Sequence, residues 1–93
     1  MSVGVLKVKF VIFGANSLKD KRSILQPFIH RIRNNYNISI NELDGSDDPR
    51  SATIGFAHIA KSSELNHKKL AQILEEAEKV KNLQIDFHSQ EVL

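Results

Sequence analysis

The sequence predicts an α+β domain in which a four-stranded antiparallel sheet carries two helices on one of its faces. Three observations lead there. Apolar and polar residues alternate at a period of two in four stretches, apolar residues recur at helical spacing in two others, and the six follow one another as β-α-β-β-α-β. With 93 residues the chain has room for one core, so 1–93 reads as a single domain.

The stretch Val3–Phe13 (VGVLKVKFVIF) places Leu6, Val8, Phe10 and Ile12 on one face and Lys7 and Lys9 on the other, the pattern of a strand with one buried side. Gly14-Ala15-Asn16 breaks it. Ser17 suits a helix N-cap, and Asp20 stands where a capping box wants a carboxylate, one methylene shorter than the usual Glu. Ile24, Leu25, Phe28, Ile29 and Ile32 then carry a helix to about Asn34. Pro27 lies inside it and predicts a bend, because proline removes one backbone bond. Asn37–Asp44 (NISINELD) puts Ile38 and Ile40 on one face of a second strand. Gly45–Arg50 (GSDDPR) is turn chemistry, and Ser51–Ala60 (SATIGFAHIA) forms a third strand with Ile54, Phe56 and His58 on one face. After a polar break at Lys61–Glu64, the residues Leu70, Ile73, Leu74, Ala77 and Val80 mark a second helix. Asn82 ends it, and Leu83, Ile85 and Phe87 alternate in a last strand.

A short link between the second and third strands makes a hairpin, and each β-α-β passage takes a right-handed crossover. The economical result is the ferredoxin-like split β-α-β fold. Strand parity predicts that Leu6, Val8, Phe10, Ile12, Ile38, Ile40, Ile54, Phe56, Ile85 and Phe87 all face the helices.

Composition narrows the function classes. The chain is 41% hydrophobic and 26% charged, as globular domains are, and it lacks cysteine. Disulfide and thiolate chemistry are thereby excluded, and a cytoplasmic location is expected. Phe10–Phe13, the longest apolar run near the start, is too short to span a bilayer, and its flanks do not make a signal peptide, so no membrane association is expected. The net charge of +2 is unevenly spread. Residues 1–33 hold Lys7, Lys9, Lys19, Lys21, Arg22, Arg31 and Arg33 against Asp20 alone, a net +6, which leaves −4 for the rest. A basic end attracts polyanions at long range without specifying sequence.

Motifs of known chemistry are missing. The sequence has no dinucleotide or Walker glycine loop, no nucleophile elbow and no zinc-protease pair. His30, His58, His67 and His88 fall on four different elements, so neither a metal nor another cofactor is expected. Asp44, Asp47 and Asp48 lack calcium-loop spacing. The string Ile54–Ile59 superficially resembles the base-stacking strand of an RNA-recognition motif, yet parity turns Phe56 inward. The opposite sheet face is more informative. Val11, Phe13 and Ile59 are too apolar for a freely solvated surface and are candidate contacts for a second copy or a partner. Lys19, Lys21 and Arg22 fan around the first turns of the first helix, where the dipole disfavours cations. Their presence there is the sequence's best hint of an anion-docking point.

The same stretch carries a family resemblance. Gly4-x-Leu6, Ser17-Leu18-Lys19-Asp20-Lys21-Arg22, Asn37-Ile38-Ser39 after Tyr36, Glu42-Leu43-Asp44, Asp47 and Ala52-Thr53-Ile54-Gly55 resemble the YlxP-like bacterial proteins. The resemblance covers most of the chain. Family members commonly carry an aromatic, usually Trp, where this chain has Pro49, and the arginine that often follows it stands at Arg50. The resemblance implies a ferredoxin-like fold, no established activity and no cofactor. It also implies genes that lie among those for transcription-termination and translation-initiation factors and a ribosome-binding factor.

Two kinds of function follow as expectations. The first is a non-enzymatic RNA- or ribosome-associated accessory factor that docks through Lys19, Lys21 and Arg22, with Lys7, Lys9, Arg31 and Arg33 as further contacts. The second is a small acylphosphatase-like enzyme, which would need an arginine in a phosphate loop and an asparagine to orient water, roles open to Arg22 and Asn41. A structural homodimer without a ligand is a third.

Overall fold

The computed structural model describes residues 1–45 and 47–93. Its elements run β1 (Ser2–Ile12), α1 (Leu18–Asn35), β2 (Ser39–Asp44), β3 (Ser51–Ala60), α2 (Ser63–Glu78) and β4 (Leu83–Val92). The sheet order is β2-β3-β1-β4 with every neighbouring pair antiparallel. This is the expected ferredoxin-like arrangement, with α1 against β2 and α2 against β1, β3 and β4. Burial along β1 alternates as its sequence does: Leu6, Val8, Phe10 and Ile12 are buried, while Lys7 and Lys9 are exposed. Ile40, Ala52, Ile54 and Phe56 continue the inner face across β2 and β3. Leu25, Phe28, Ile29 and Ile32 of α1 and Leu70, Ile73 and Ala77 of α2 close over it. Phe10 and Phe28 meet edge to face, 5.9 Å between ring centroids.

The helix ends follow local chemistry. The Ser17 hydroxyl accepts from Asp20 N at 3.1 Å, and the Asp20 carboxylate reaches back to Asn16 N at 3.0 Å, one residue before the cap. Ser62 caps α2 in the same way. The α-helix runs unbroken through Pro27, whose ring is exposed. Asn82 adopts φ 67°, a left-handed conformation that Asn tolerates, and turns the chain from α2 into β4.

Two expectations are corrected. Phe87 does not face the helices. The β1–β4 register shifts between Lys9 and Phe10, so that Phe10 pairs with Ile85 but Lys9 pairs with Phe87. Asp86 is therefore an extra residue, a β-bulge, and everything after it changes face. Phe87 points to the open side of the sheet and is 56% exposed.

The second correction concerns Lys21, which is 4% exposed rather than fanned into solvent. It lies four residues before Leu25 and so extends the buried stripe of Leu25, Phe28, Ile29 and Ile32 by one turn. Its ammonium donates to Gly45 O at 2.6 Å and Asp48 O at 3.0 Å and pairs with Glu42 Oε2 at 2.9 Å. Three donors meet three acceptors, which is all an ammonium can offer. The accepting hairpin is itself braced. The Asp48 carboxylate accepts from Arg50 N and from the Ser51 hydroxyl, both at 2.9 Å, and these bonds hold its pKa below the ordinary 3.8. The Arg50 guanidinium donates to Ala15 O and to Asn16 Oδ1, which joins the hairpin to the β1–α1 loop.

Replacing Lys21 by Met leaves two carbonyls and a carboxylate without their donor and should lower unfolding free energy by about 1–3 kcal/mol. Lys19→Gln and Arg22→Gln, at exposed positions, should each change it by no more than about 0.5 kcal/mol. Urea titrations of the three variants test this, and equal effects would refute the lock. Asp48 adds a pH dependence of defined sign. Because its folded pKa is depressed, its contribution is complete above 3.8 and is lost as pH falls below that value.

Candidate nucleic-acid interface

The seven basic residues singled out in the sequence do not gather on one surface. Lys19 and Arg22 are exposed at the start of α1, while Lys21 is consumed by the hairpin. Arg31 and Arg33 lie more than two turns further along the same helix. Arg31 Nε pairs with Glu76 Oε2 on α2 at 3.3 Å, and Arg33 donates to Ile40 O at 3.2 Å. Both therefore serve helix–helix and helix–strand contact. Lys7 and Lys9 stand on the open sheet face, the side away from both helices, where Lys9 is 4.0 Å from the Asp86 carboxylate.

The apolar candidates are also dispersed. Phe13 and Ile59 are 51% and 67% exposed, whereas Val11 is half-buried. Ile59 pairs with Val3, eight residues up the strand from Val11, a separation of about 27 Å at strand spacing. They form two ends of the face, not one patch. The acylphosphatase-like roles are separated as well. Asn41 pairs with Gly55 on the open face, and Arg22 belongs to the helical layer. Among the described residues no group of three or more His, Asp or Glu side chains converges as a metal site, and no helix is long and apolar enough to cross a membrane.

What the fold does assemble is a groove on the open sheet face, about 380 Å³, lined by Lys7, Lys9, Leu43, Asp44, Thr53 and Phe87. Two irregularities shape it. The bulge at Asp86 delivers the Phe87 ring beside Lys9. A second shift, between Glu42 and Asp44 in β2, pairs Glu42 with inward-facing Ile54 and Asp44 with Thr53, so that Asp44 joins Leu43 on the open side. Leu43 lies flat over Gly55, where a Cβ would come within 2.9 Å of its Cδ1. The glycine is what lets an apolar side chain pave the sheet there. Two cations, an aromatic ring, a hydroxyl and a carboxylate thus share one shallow, solvated depression. It offers charge and a stacking surface to a flat anionic ligand, with Thr53 and Asp44 available for hydrogen bonds. Strict alternation assigns Phe87 to the inner face and fails there because of the bulge, whereas the same alternation already puts Leu43, three residues after inward-facing Ile40, on the open face. No local signal marks the bulge, because Leu83-Gln84-Ile85-Asp86-Phe87 alternates without a break.

Comparison with known proteins agrees with the fold and its motifs. Residues 3–89 match the family described as protein of unknown function (DUF503). An uncharacterized protein YlxP from Bacillus subtilis (strain 168) is 31% identical over 72 residues, 77% of this chain and 78% of the relative. A de novo designed protein with a ferredoxin fold, solved by NMR, superposes with a TM-score of 0.52 at 18% identity over 99% of this chain and 85% of the design. A putative chlorite dismutase crystal structure gives 0.53 at 12% identity over 99% of this chain and 44% of that one. At such identities these two likenesses concern the fold alone. With nearly its whole length matched, the chain belongs to the DUF503 family of proteins of unknown function.

Proposed function

We propose that this protein is a non-enzymatic, cytoplasmic accessory factor that associates with RNA, free or in the ribosome, through its open sheet face. The observation that carries the reading is the exposed Phe87 ring sharing a groove with Lys7 and Lys9. Bases stack on an aromatic platform whatever their identity, and lysines beside it take the phosphates. The role expected for the helix start passes to Lys19 and Arg22, without Lys21, as a secondary contact. Asp44 and Asp86 limit the net charge of the groove, which favours contacts to bases over purely electrostatic attraction.

Filter binding of short single-stranded RNA across salt concentrations tests the reading. Phe87→Ala should weaken affinity about tenfold or more, the usual worth of one stacked base. Lys7→Gln with Lys9→Gln should make the salt dependence shallower, by about 0.7 in slope for each phosphate that a lysine no longer neutralises. Unchanged affinity in both variants would refute the sheet face as the RNA surface. A loss confined to Lys19→Gln with Arg22→Gln would move the contact to the helix start.

A second reading, self-association, draws on a specific observation. Val5, Leu43 and Phe87 expose apolar surface on the same face, at 41%, 57% and 56%. Two copies packed face to face would cover it. Sedimentation equilibrium should then show a dimer that Phe87→Ala weakens, and a strict monomer at high micromolar concentration would exclude it.

A further inference from the structure

On the helical side, at the opposite end of the sheet from the hairpin, the end of β3 and the first turns of α2 enclose a groove of about 480 Å³. Its polar lining includes His58, Lys61, Lys68, Lys69 and Gln72, with Leu65 as an apolar flank, and no carboxylate lines it. Among the described residues, none of the three lysines has a carboxylate within 4.0 Å, in contrast with Lys9, Lys21, Arg31 and Lys79. Lys69 is held instead over the Tyr36 ring, 4.9 Å from its centroid. Burial and the nearby Glu76 and Glu75 push the Tyr36 pKa up, so the phenol stays neutral and meets the ammonium through its ring face.

The histidine in this groove is oriented by buried chemistry. Asn66, fully buried on α2, accepts from His58 Nδ1 through its Oδ1 at 2.7 Å and donates through Nδ2 to Ser2 Oγ at 2.9 Å. An amide oxygen only accepts, so His58 Nδ1 carries the hydrogen and Nε2 is the ring nitrogen left over. Room for the amide comes from Gly4, which pairs with His58 across β1 and β3. A Cβ on Gly4 would lie 3.0 Å from Asn66 Cγ and Oδ1. Four residues from three elements therefore build a buried relay whose one outlet is an imidazole at the wall of a groove with three lysines.

We propose that this groove binds a phosphate group, free or as a phosphate monoester, with Lys61 and Lys68 as the main cationic contacts, Lys69 beside them and His58 as an oriented hydrogen-bonding partner. Like charges on one groove that no carboxylate lines repel each other, and an anion with several oxygens relieves them together. An attached organic body would lie against Leu65. The site stands on the helical layer, whereas the Phe87 groove is on the open face, so neither depends on the other.

The test follows the four imidazole rings by NMR while inorganic phosphate, and separately adenosine 5′-monophosphate, is added to the whole protein at fixed ionic strength. His58 should shift in a saturable way and His30, on the exposed side of α1, should not. The double variant Lys61→Gln, Lys68→Gln changes exposed residues only and should weaken the binding about tenfold or more. Equal affinity for the two probes would identify the phosphate group alone as what is read. Tighter binding of the monoester would add a contact to its organic body at Leu65. A His58 ring that neither probe moves, or a titration that the double variant leaves unaltered, would overturn the proposal.

Discussion

The central strand is the constraint on which the rest of this fold depends. β1 lies between β3 and β4, and its inner row of Leu6, Val8, Phe10 and Ile12 is buried almost without remainder. A strand flanked on both sides and covered on one face cannot slip by a single residue without moving four apolar side chains into water and two lysines into the core. Each neighbour must therefore adjust to β1 rather than the reverse. β3 does so in continuous register from Ser2↔Ala60 to Val11↔Ser51. β4 cannot, and it accommodates by inserting Asp86 as a bulge. The open-face groove is a by-product of that accommodation.

Polar groups complete the fold at both ends of the sheet, and they do so by different means. At the hairpin end a buried ammonium is matched donor for acceptor by two carbonyls and a carboxylate, which ties α1 to β2 and to the turn. A buried charge survives only when satisfied in this way. At the other end a neutral amide joins β1, β3 and α2, and it needs a glycine opposite to fit. Lys21 closes its environment completely. Asn66 leaves one group, the His58 ring, partly open to solvent, whereas the Lys21 ammonium has no proton to spare.

The charge of the basic N-terminal third is likewise spent unevenly. Of its seven cations, Lys21, Arg31 and Arg33 are engaged in holding elements together, and Lys9 has an acid nearby. Net charge along a sequence is thus a poor guide to surface potential in a domain this small, because long side chains near the core find partners across the fold. The lysines without carboxylate partners on α2 lie in the acidic remainder of the chain, where the net charge points the other way.

The sequence by itself determined the element order, the helix cap at Ser17, the inward rows of β1 and β3, and the buried position of Phe56. All of these rest on local periods of 2 and 3.6 residues and on neighbouring side chains. The family was legible too, in the Ser17–Arg22 string and the strand motifs around it. Tertiary structure alone decided that Phe87 faces outward, because a bulge depends on how one strand fits its neighbour. It also decided that Lys21 is interior, since the acceptors that stabilise it there come from residues 42, 45 and 48. The Ser2–Asn66–His58 relay spans 64 residues from end to end, a separation that no periodicity encodes. Local periodicity therefore chose the elements, and contacts across the sheet chose which side chains remained free to bind.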